Sequence, residues 1–375
     1  MNLKSLLLGS AAGLVAVTGA RAADAVVVAE PEPVEYVRVC DVFGEGFFYI
    51  PGTETCMRIS GYVRYRVGAT NDKGLAANDT PNYNGFNGDG WNKSTRARVN
   101  LDARSETEWG TLQAFIRFQA DWGQNAPAAF ADGPVTTDQA WLSLGGLRLG
   151  YTQSAWDSTV FGVTNGGSFS DGALYYGSQQ RHLMQYNFGS RSGLFGVVSL
   201  EDDALEGRGY VPDVVGVLGY GAEWGTVWAR LGYDESYNAE KDSGFGAQLA
   251  TQINIPNTAS SVRLMGWYAD ADHKYGTESA YAKIGKGNGN SEWSVLAAYN
   301  HKFSDKLSAS TGFQYFSNFY EGLSDVKTGL DGYAVDLSVV YEPVQNFEIR
   351  AEANYDKVDG RDGSVGGFLW FLRRF

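Results

Sequence analysis

Few side chains in this sequence could do covalent chemistry. The three histidines, His182, His273 and His301, lie far apart, and with only two cysteines, Cys40 and Cys56, they form no zinc-binding spacing. There is no Gly-x-Ser-x-Gly elbow, no P-loop and no Gly-x-Gly-x-x-Gly fingerprint. A seated nucleophile, a phosphate cradle and a dinucleotide site are therefore not expected, and neither are enzyme activity, a cofactor or a catalytic metal. His182 is read as structural. The net charge of −13 also disfavours a nucleic-acid backbone as partner. What remains is placed charge: arginines such as Arg64, Arg98, Arg117 and Arg148, and the acids Asp157 and Asp171 in a long connector. Such groups act on a passing solute through their field rather than through bonds.

The first residues read as an address. Lys4 is a positive n-region, Leu6 to Val17 an apolar stretch, and Ala20-Arg21-Ala22 a small-residue cleavage site, which places the cut before Ala23. Loss of Lys4 and Arg21 takes the net charge from −13 to −15. In an exported chain the two cysteines pair, Cys40 with Cys56, closing a loop of 15 residues. Glu30-Pro31-Glu32-Pro33 reads as an extended linker.

The elements that position the charges are strands. Charged residues are only 19% of the chain, while it holds 48 glycines and is 14% aromatic. No later segment has 18 consecutive apolar residues, so helical membrane spans are excluded. Period-two alternation recurs instead. Ile59, Gly61, Val63, Tyr65 and Val67 share one face, and Ser60, Tyr62, Arg64 and Arg66 the other. In Thr95–Arg104 the set Thr95, Ala97, Val99, Leu101, Ala103 opposes Arg96, Arg98, Asn100, Asp102, Arg104. The same design runs through Leu112–Trp122, Val227–Asp234, Phe245–Asn254, Leu307–Tyr315, Tyr333–Tyr341 and Phe347–Tyr355. Short connectors such as Gly145–Gly146, Ala222–Gly225 and Val344–Asn346 alternate with long polar runs such as Gly68–Lys93 and Thr152–Gln180.

That alternation predicts an all-β, antiparallel transmembrane β-barrel with short turns at one end and long loops at the other. From Met57 to Phe375, sixteen strands leave roughly 20 residues for each strand and connector, which suits spanning strands. A soluble β-sandwich would also alternate. It would give the arginines on the polar faces no role beyond a solvated exterior. The expected organisation is a signal peptide over 1–22, an N-terminal periplasmic segment with the disulfide over 23–56, and the barrel over 57–375.

The N-terminal stretch also carries a resemblance. Val37-Arg38-Val39-Cys40-Asp41, then Phe48-Tyr49-Ile50-Pro51-Gly52-Thr53-Glu54-Thr55-Cys56, then Ile59-Ser60-Gly61-Tyr62-Val63-Arg64-Tyr65 resembles the opening of the alphaproteobacterial porin family, which includes the major outer-membrane porins of Brucella and related Rhizobiales. Met1–Ala12 is similar to that family's signal peptides, Tyr210–Gly216 to an internal segment and Arg373-Arg374-Phe375 to its ending. The resemblance spans the chain, with the cysteine-bounded segment its specific part. It implies a homotrimer of 16-stranded barrels in the outer membrane of a Gram-negative bacterium, amid outer-membrane lipid and lipopolysaccharide. It also implies a third loop folded into the pore and assembly machinery that reads Phe375.

By the same resemblance, Asp157 and Asp171 on the third long connector face an arginine ladder on the early strands, with Arg64, Arg98, Arg117 and Arg148 as its candidates. Arg96 and Arg104 are placed nearer the rims. The expected function is a water-filled channel for passive diffusion of small hydrophilic solutes and ions. The alternatives are a substrate-specific channel, for sugars for instance, signalled by lumen aromatics such as Phe115, Phe195 and Trp228, and a plugged structural barrel. The net charge predicts weak cation preference, although bulk charge need not match the charge at the narrowest ring.

Overall fold

The computed structural model describes residues 38–71, 92–123, 133–159, 168–171, 174–202, 211–284 and 287–375. The leader, the Glu30–Pro33 run and Asn165–Gly167 lie outside them. Val39–Phe375 form one compact unit.

Alternation shapes this chain because a strand's side chains point to opposite faces, and one face here must meet lipid. A short strand, β1 (Phe48–Tyr49), precedes sixteen wall strands. The first five wall strands are β2 (Cys56–Asn71), β3 (Asn92–Thr107), β4 (Gly110–Gly123), β5 (Val135–Leu144) and β6 (Leu147–Gln153). Next come β7 (Gln180–Gly189), β8 (Gly193–Glu201), β9 (Asp213–Ala222), β10 (Gly225–Asp234), β11 (Gly244–Asn254) and β12 (Ser261–Ala269). The wall ends with β13 (Ser291–Lys302), β14 (Leu307–Phe319), β15 (Gly332–Val344), β16 (Phe347–Val358) and β17 (Ser364–Arg374). Each wall strand pairs antiparallel with its sequence neighbours, and β17 pairs with β2, from Val365 opposite Asn71 to Arg374 opposite Tyr62. The wall is therefore a closed antiparallel barrel with no free edge. Phe375 completes the seam by exchanging backbone hydrogen bonds with Gly61 at 3.0 and 3.1 Å.

The facing read from alternation holds. Ile59, Val63 and Tyr65 of β2, Leu249 of β11 and Leu337 of β15 are exposed on the outer surface. Arg230, Gln248, Arg263, Gln314 and Asp336 are buried on the inner one. Short turns close one end, helped in the β5–β6 turn by Gly145 at φ 56° and in the β15–β16 turn by Asn346 at φ 64°.

The interior is not polar throughout. On β8 and β9 the inward residues include Phe195, Val197, Val215 and Val217, all buried, with Ser199, Glu201 and Asp213 at the connector end of the same face. The four apolar residues join Trp228, Met265, Trp267, Leu296 and Phe316 of later strands in one apolar cluster with Trp156, Leu174 and Tyr275 from connectors. The barrel is thus packed along β8–β14, and its hydrated face lies along β2–β6.

Cys40 and Cys56 form a disulfide, as expected. Cys40 lies ahead of the wall, but Cys56 is the first residue of β2 and pairs with both Tyr49 and Arg104. The bridge is therefore anchored in the ladder on one side. Its loop docks through Phe47, buried beneath the guanidinium groups of Arg58 (4.7 Å) and Arg104 (5.0 Å). Both arginines pair with the buried Asp102, at 3.2 and 2.7 Å. Purified, unreduced protein should show no free thiol on denaturation, and labelling of Cys40 or Cys56 would refute the pairing. Closing a loop of this size is worth about 3 kcal/mol in the chain-entropy model. Reduction should loosen this lobe while the sixteen-strand ladder stays folded.

Candidate functional site

The hydrated wall is built from the inward faces of β2–β6. Register sets Arg64 directly opposite Arg96 and Tyr62 opposite Arg98. Arg96 pairs with Asp121 of β4 at 2.6 Å. The β4–β5 register slips between Arg117 and Phe118, so Gln139 faces Arg117, Thr137 faces Phe118, and Asp138 is the extra residue. Such a bulge re-aims a side chain. Asp138 comes within 3.8 Å of Arg98 and 3.5 Å of Arg117, so the two arginines share one acid. Arg117 also donates to Asn100 at 3.0 Å. Arg148 lies over the Trp141 ring at 4.3 Å, and Trp141 stacks on Phe115 at 5.1 Å. Among the described residues Arg148 has no carboxylate partner, and its buried Nε–H has no acceptor.

The β6–β7 connector folds inward along the opposite wall. At its root Arg230 donates from Nη1 to the carbonyls of Ala155 (2.9 Å) and Trp156, and from Nη2 to that of Ser158 (3.1 Å). Further along, the Ser168 carbonyl accepts from Arg263 at 2.9 Å and its hydroxyl donates to Asp336 at 2.5 Å. The Asp171 N–H donates to Glu352 at 2.8 Å, and the Tyr175 N–H to Gln314 at 2.9 Å. At this tip the Asp171 carboxylate stands 3.7 Å from Arg64 and is 49% exposed.

A second connector, between β12 and β13, also turns inward. Tyr275 is fully buried and sits where Gly232 of β10 and Gly246 of β11 leave no room for a Cβ. Its hydroxyl donates to Asp213 at 2.9 Å. The Trp156 indole donates to the Gly276 carbonyl at 3.0 Å, and the Gln179 amide to that of Lys274 at 3.1 Å. The two inward connectors are therefore stitched together on the packed side.

Residues 24–367 match the family described as the porin subfamily. The chain belongs to the porin family. Over the full length of both chains this porin is 34% identical to Porin Omp2b of Brucella suis and to Porin Omp2b of Brucella abortus. In fold it is similar to the outer membrane channel DcaP of Acinetobacter baumannii, with a TM-score of 0.65 at 16% identity over 87% of this chain and 99% of that one. It is also similar to OmpT of Vibrio cholerae in its trimer form, with a TM-score of 0.57 at 13% identity over 86% of this chain and all of that one. The porin is an outer-membrane channel of a Gram-negative bacterium that crosses the membrane with its strands.

Of the residues expected to line a constriction, Arg64 and Asp171 are brought together, and Arg98 meets Arg117 through Asp138. Arg148 lies on the same wall with an aromatic rather than an acid beneath it. Asp157 is placed elsewhere. It is 1% exposed in the loop root, where one carboxylate oxygen accepts from the Gln179 N–H at 3.2 Å and the other has no partner. Burial pushes its carboxyl up to about 8, against the pull of Arg230, so near neutral pH it holds its proton. Arg104 sits with Arg58 beside the disulfide lobe, whereas Arg96 stands among the arginines of the hydrated wall, directly opposite Arg64. Asp121 and Asp138 were not anticipated. Alternation places Asp121 on the polar face, but only the bulge turns Asp138 inward. Phe195 and Trp228, expected as lumen aromatics, are sealed in the apolar cluster, and Phe115 alone of the three stays on the hydrated wall.

Proposed function

We propose that this porin forms a water-filled channel through which small hydrophilic solutes and ions diffuse passively, and that its waist lies between the β2–β6 wall and the tip of the β6–β7 connector. The observation that carries this is the asymmetry of the barrel interior. One wall is packed against two inward connectors, while the other keeps Arg64, Arg98, Arg117 and Arg148 facing the remaining space. We read Asp171 as the acid opposite that wall and Asp157 as an anchor of the loop. Solute passage, with no catalytic step, is the reading that suits these groups.

The same reading makes residues 1–22 a removed leader and 23–56 a periplasmic segment at the short-turn end. It makes the working assembly a homotrimer set in outer-membrane lipid and lipopolysaccharide, with Phe375 exposed as a handle for the assembly machinery. Single-channel recording in planar bilayers tests the function. Stepwise currents with a near-linear voltage response are expected. A purified, folded protein that conducts nothing would leave a plugged barrel as the answer.

A further inference from the structure

The charge at the waist differs from that of the chain. The sequence is acidic, yet the β6–β7 connector holds only two ionisable carboxylates, and Asp157 is buried in its root. The loop therefore offers the hydrated space a single acid, Asp171. Facing it are Arg64, Arg96, Arg98, Arg117 and Arg148. Their carboxylate neighbours among the described residues are Asp121, Asp138 and Asp171.

The arrangement is also electrostatically incomplete. Arg64 and Arg96 are direct cross-strand neighbours, which places their Cα atoms about 5 Å apart, and like charges so placed repel. Arg96 has Asp121 to offset this, but Arg64 has a half-exposed Asp171 at 3.7 Å, a pair that water weakens. Arg98 and Arg117 divide one carboxylate between them. Arg148 has an aromatic platform and an unfilled donor. Arg98 also directs two donors onto the Gln119 amide oxygen and Arg117 one onto that of Asn100, so these guanidinium groups offer an entering anion their remaining N–H donors.

We propose that the β2–β6 wall of the waist is a binding site for small solutes that carry two or more negative groups, gripped by arginines on neighbouring strands. This rests on the channel reading and adds the sign and class of solute. A monoanion engages one guanidinium at a time. A dianion spanning a few ångströms engages two, and the second charge-assisted contact is worth about tenfold in affinity. The site must still release its solute, and the water-filled, partly screened setting keeps the grip modest.

The test uses the purified assembly in planar bilayers at about 0.1 M KCl, where screening extends about 10 Å. A salt gradient should give a reversal potential on the chloride side, with anions favoured by about threefold. Citrate and pyrophosphate should each reduce chloride current at concentrations about tenfold below acetate. Block by citrate alone would assign polycarboxylates, and block by pyrophosphate alone would assign phosphorylated solutes. Either supports the site. Arg64→Ser with Arg148→Ser should bring the permeability ratio close to one and abolish the difference from acetate, whereas Arg148→Lys should retain most of it. About 1 M KCl should erase the block as screening shortens to about 3 Å. A conducting pore that reverses on the potassium side, or that acetate blocks as well as citrate and pyrophosphate do, would overturn this inference and leave the channel standing. No current at all would take both down.

Discussion

Leu249→Arg is expected to lower the yield of the folded, heat-modifiable form far more than any substitution on the inner face. Leu249 is the sixth of the eleven residues of β11, 63% exposed on the outer surface, with Ala229 and Gly266 as cross-strand neighbours. Neither neighbour supplies a carboxylate, and a guanidinium at mid-strand has little reach to either interface. Arginine at the bilayer midplane of a barrel costs about 2–4 kcal/mol, which lowers the ratio of folded to unfolded chain roughly 30- to 900-fold. Val99→Arg on β3 should behave alike, since Val99 is on the same outward face opposite Gly61 and Phe118. A contact with a second copy there would desolvate the charge at similar cost. Arg98→Ala, one residue away, should fold normally, because it removes a hydrated lumen side chain and leaves the ladder intact. Band shift on unheated against heated gels reads the outcome. Equal tolerance at Leu249 and Arg98 would mean that the assignment of inner and outer faces is wrong.

That assignment was legible because lipid and water impose opposite demands on neighbouring residues. In β2–β4, β10, β11 and β14–β16 the pattern repeats with period two, and each outward set read from the sequence is outward in the barrel. Strand number followed from pitch, since a spanning strand has a nearly fixed length. The pattern weakened where its physical cause did. Over much of β8 and β9 both faces are apolar, because Phe195, Val197, Val215 and Val217 meet packed connectors rather than water. Alternation reports only that two faces differ, so a doubly apolar strand leaves no mark of which side is the interior.

The site was legible as a set of arginines and not as an arrangement. Arg64, Arg98 and Arg117 sit on the polar face by phase alone. Their acid partner Asp138 depends on one extra residue in β5, and a bulge of that kind has no period to betray it. Asp157 and Asp171 look alike in sequence, two acids in one long polar connector. Arg230, 59 positions beyond Asp171, separates them by drawing the root of the loop to the far wall. The net charge of the chain is, for a similar reason, no guide to the charge at the waist. Many acids, including Asp242, Asp270, Asp272, Glu278, Asp325 and Asp359, lie in the connectors between later strands rather than on the β2–β6 wall.

Arg230→Met is expected to free the constriction loop while leaving the barrel folded. Arg230 is 1% exposed and directs three donations onto the carbonyls of Ala155, Trp156 and Ser158. Methionine fills similar space and supplies no donor, so three buried carbonyls lose their partner at once. A single hydrogen bond to a charged group is worth about 1.5–3 kcal/mol, so the loss of even one shifts the balance between docked and released loop roughly 10- to 150-fold. The wall ladder does not pass through this side chain, and Thr226 to Tyr233 stay paired on both sides through the backbone. Unheated gels should therefore show wild-type mobility, while single channels show larger conductance and frequent brief closures. Arg230→Lys should fall between, since an ammonium reaches one carbonyl or two but cannot hold the fork. The stitch to the second connector makes a partial release detectable as well. Tyr275→Phe removes the hydroxyl bond to Asp213 and leaves the ring in its glycine notch, so it should add noise with little change in conductance. Unchanged conductance and noise in Arg230→Met, with normal folding, would show that the loop is held by its apolar contacts around Trp156 and Leu174, and that the guanidinium anchor contributes nothing to the size of the pore.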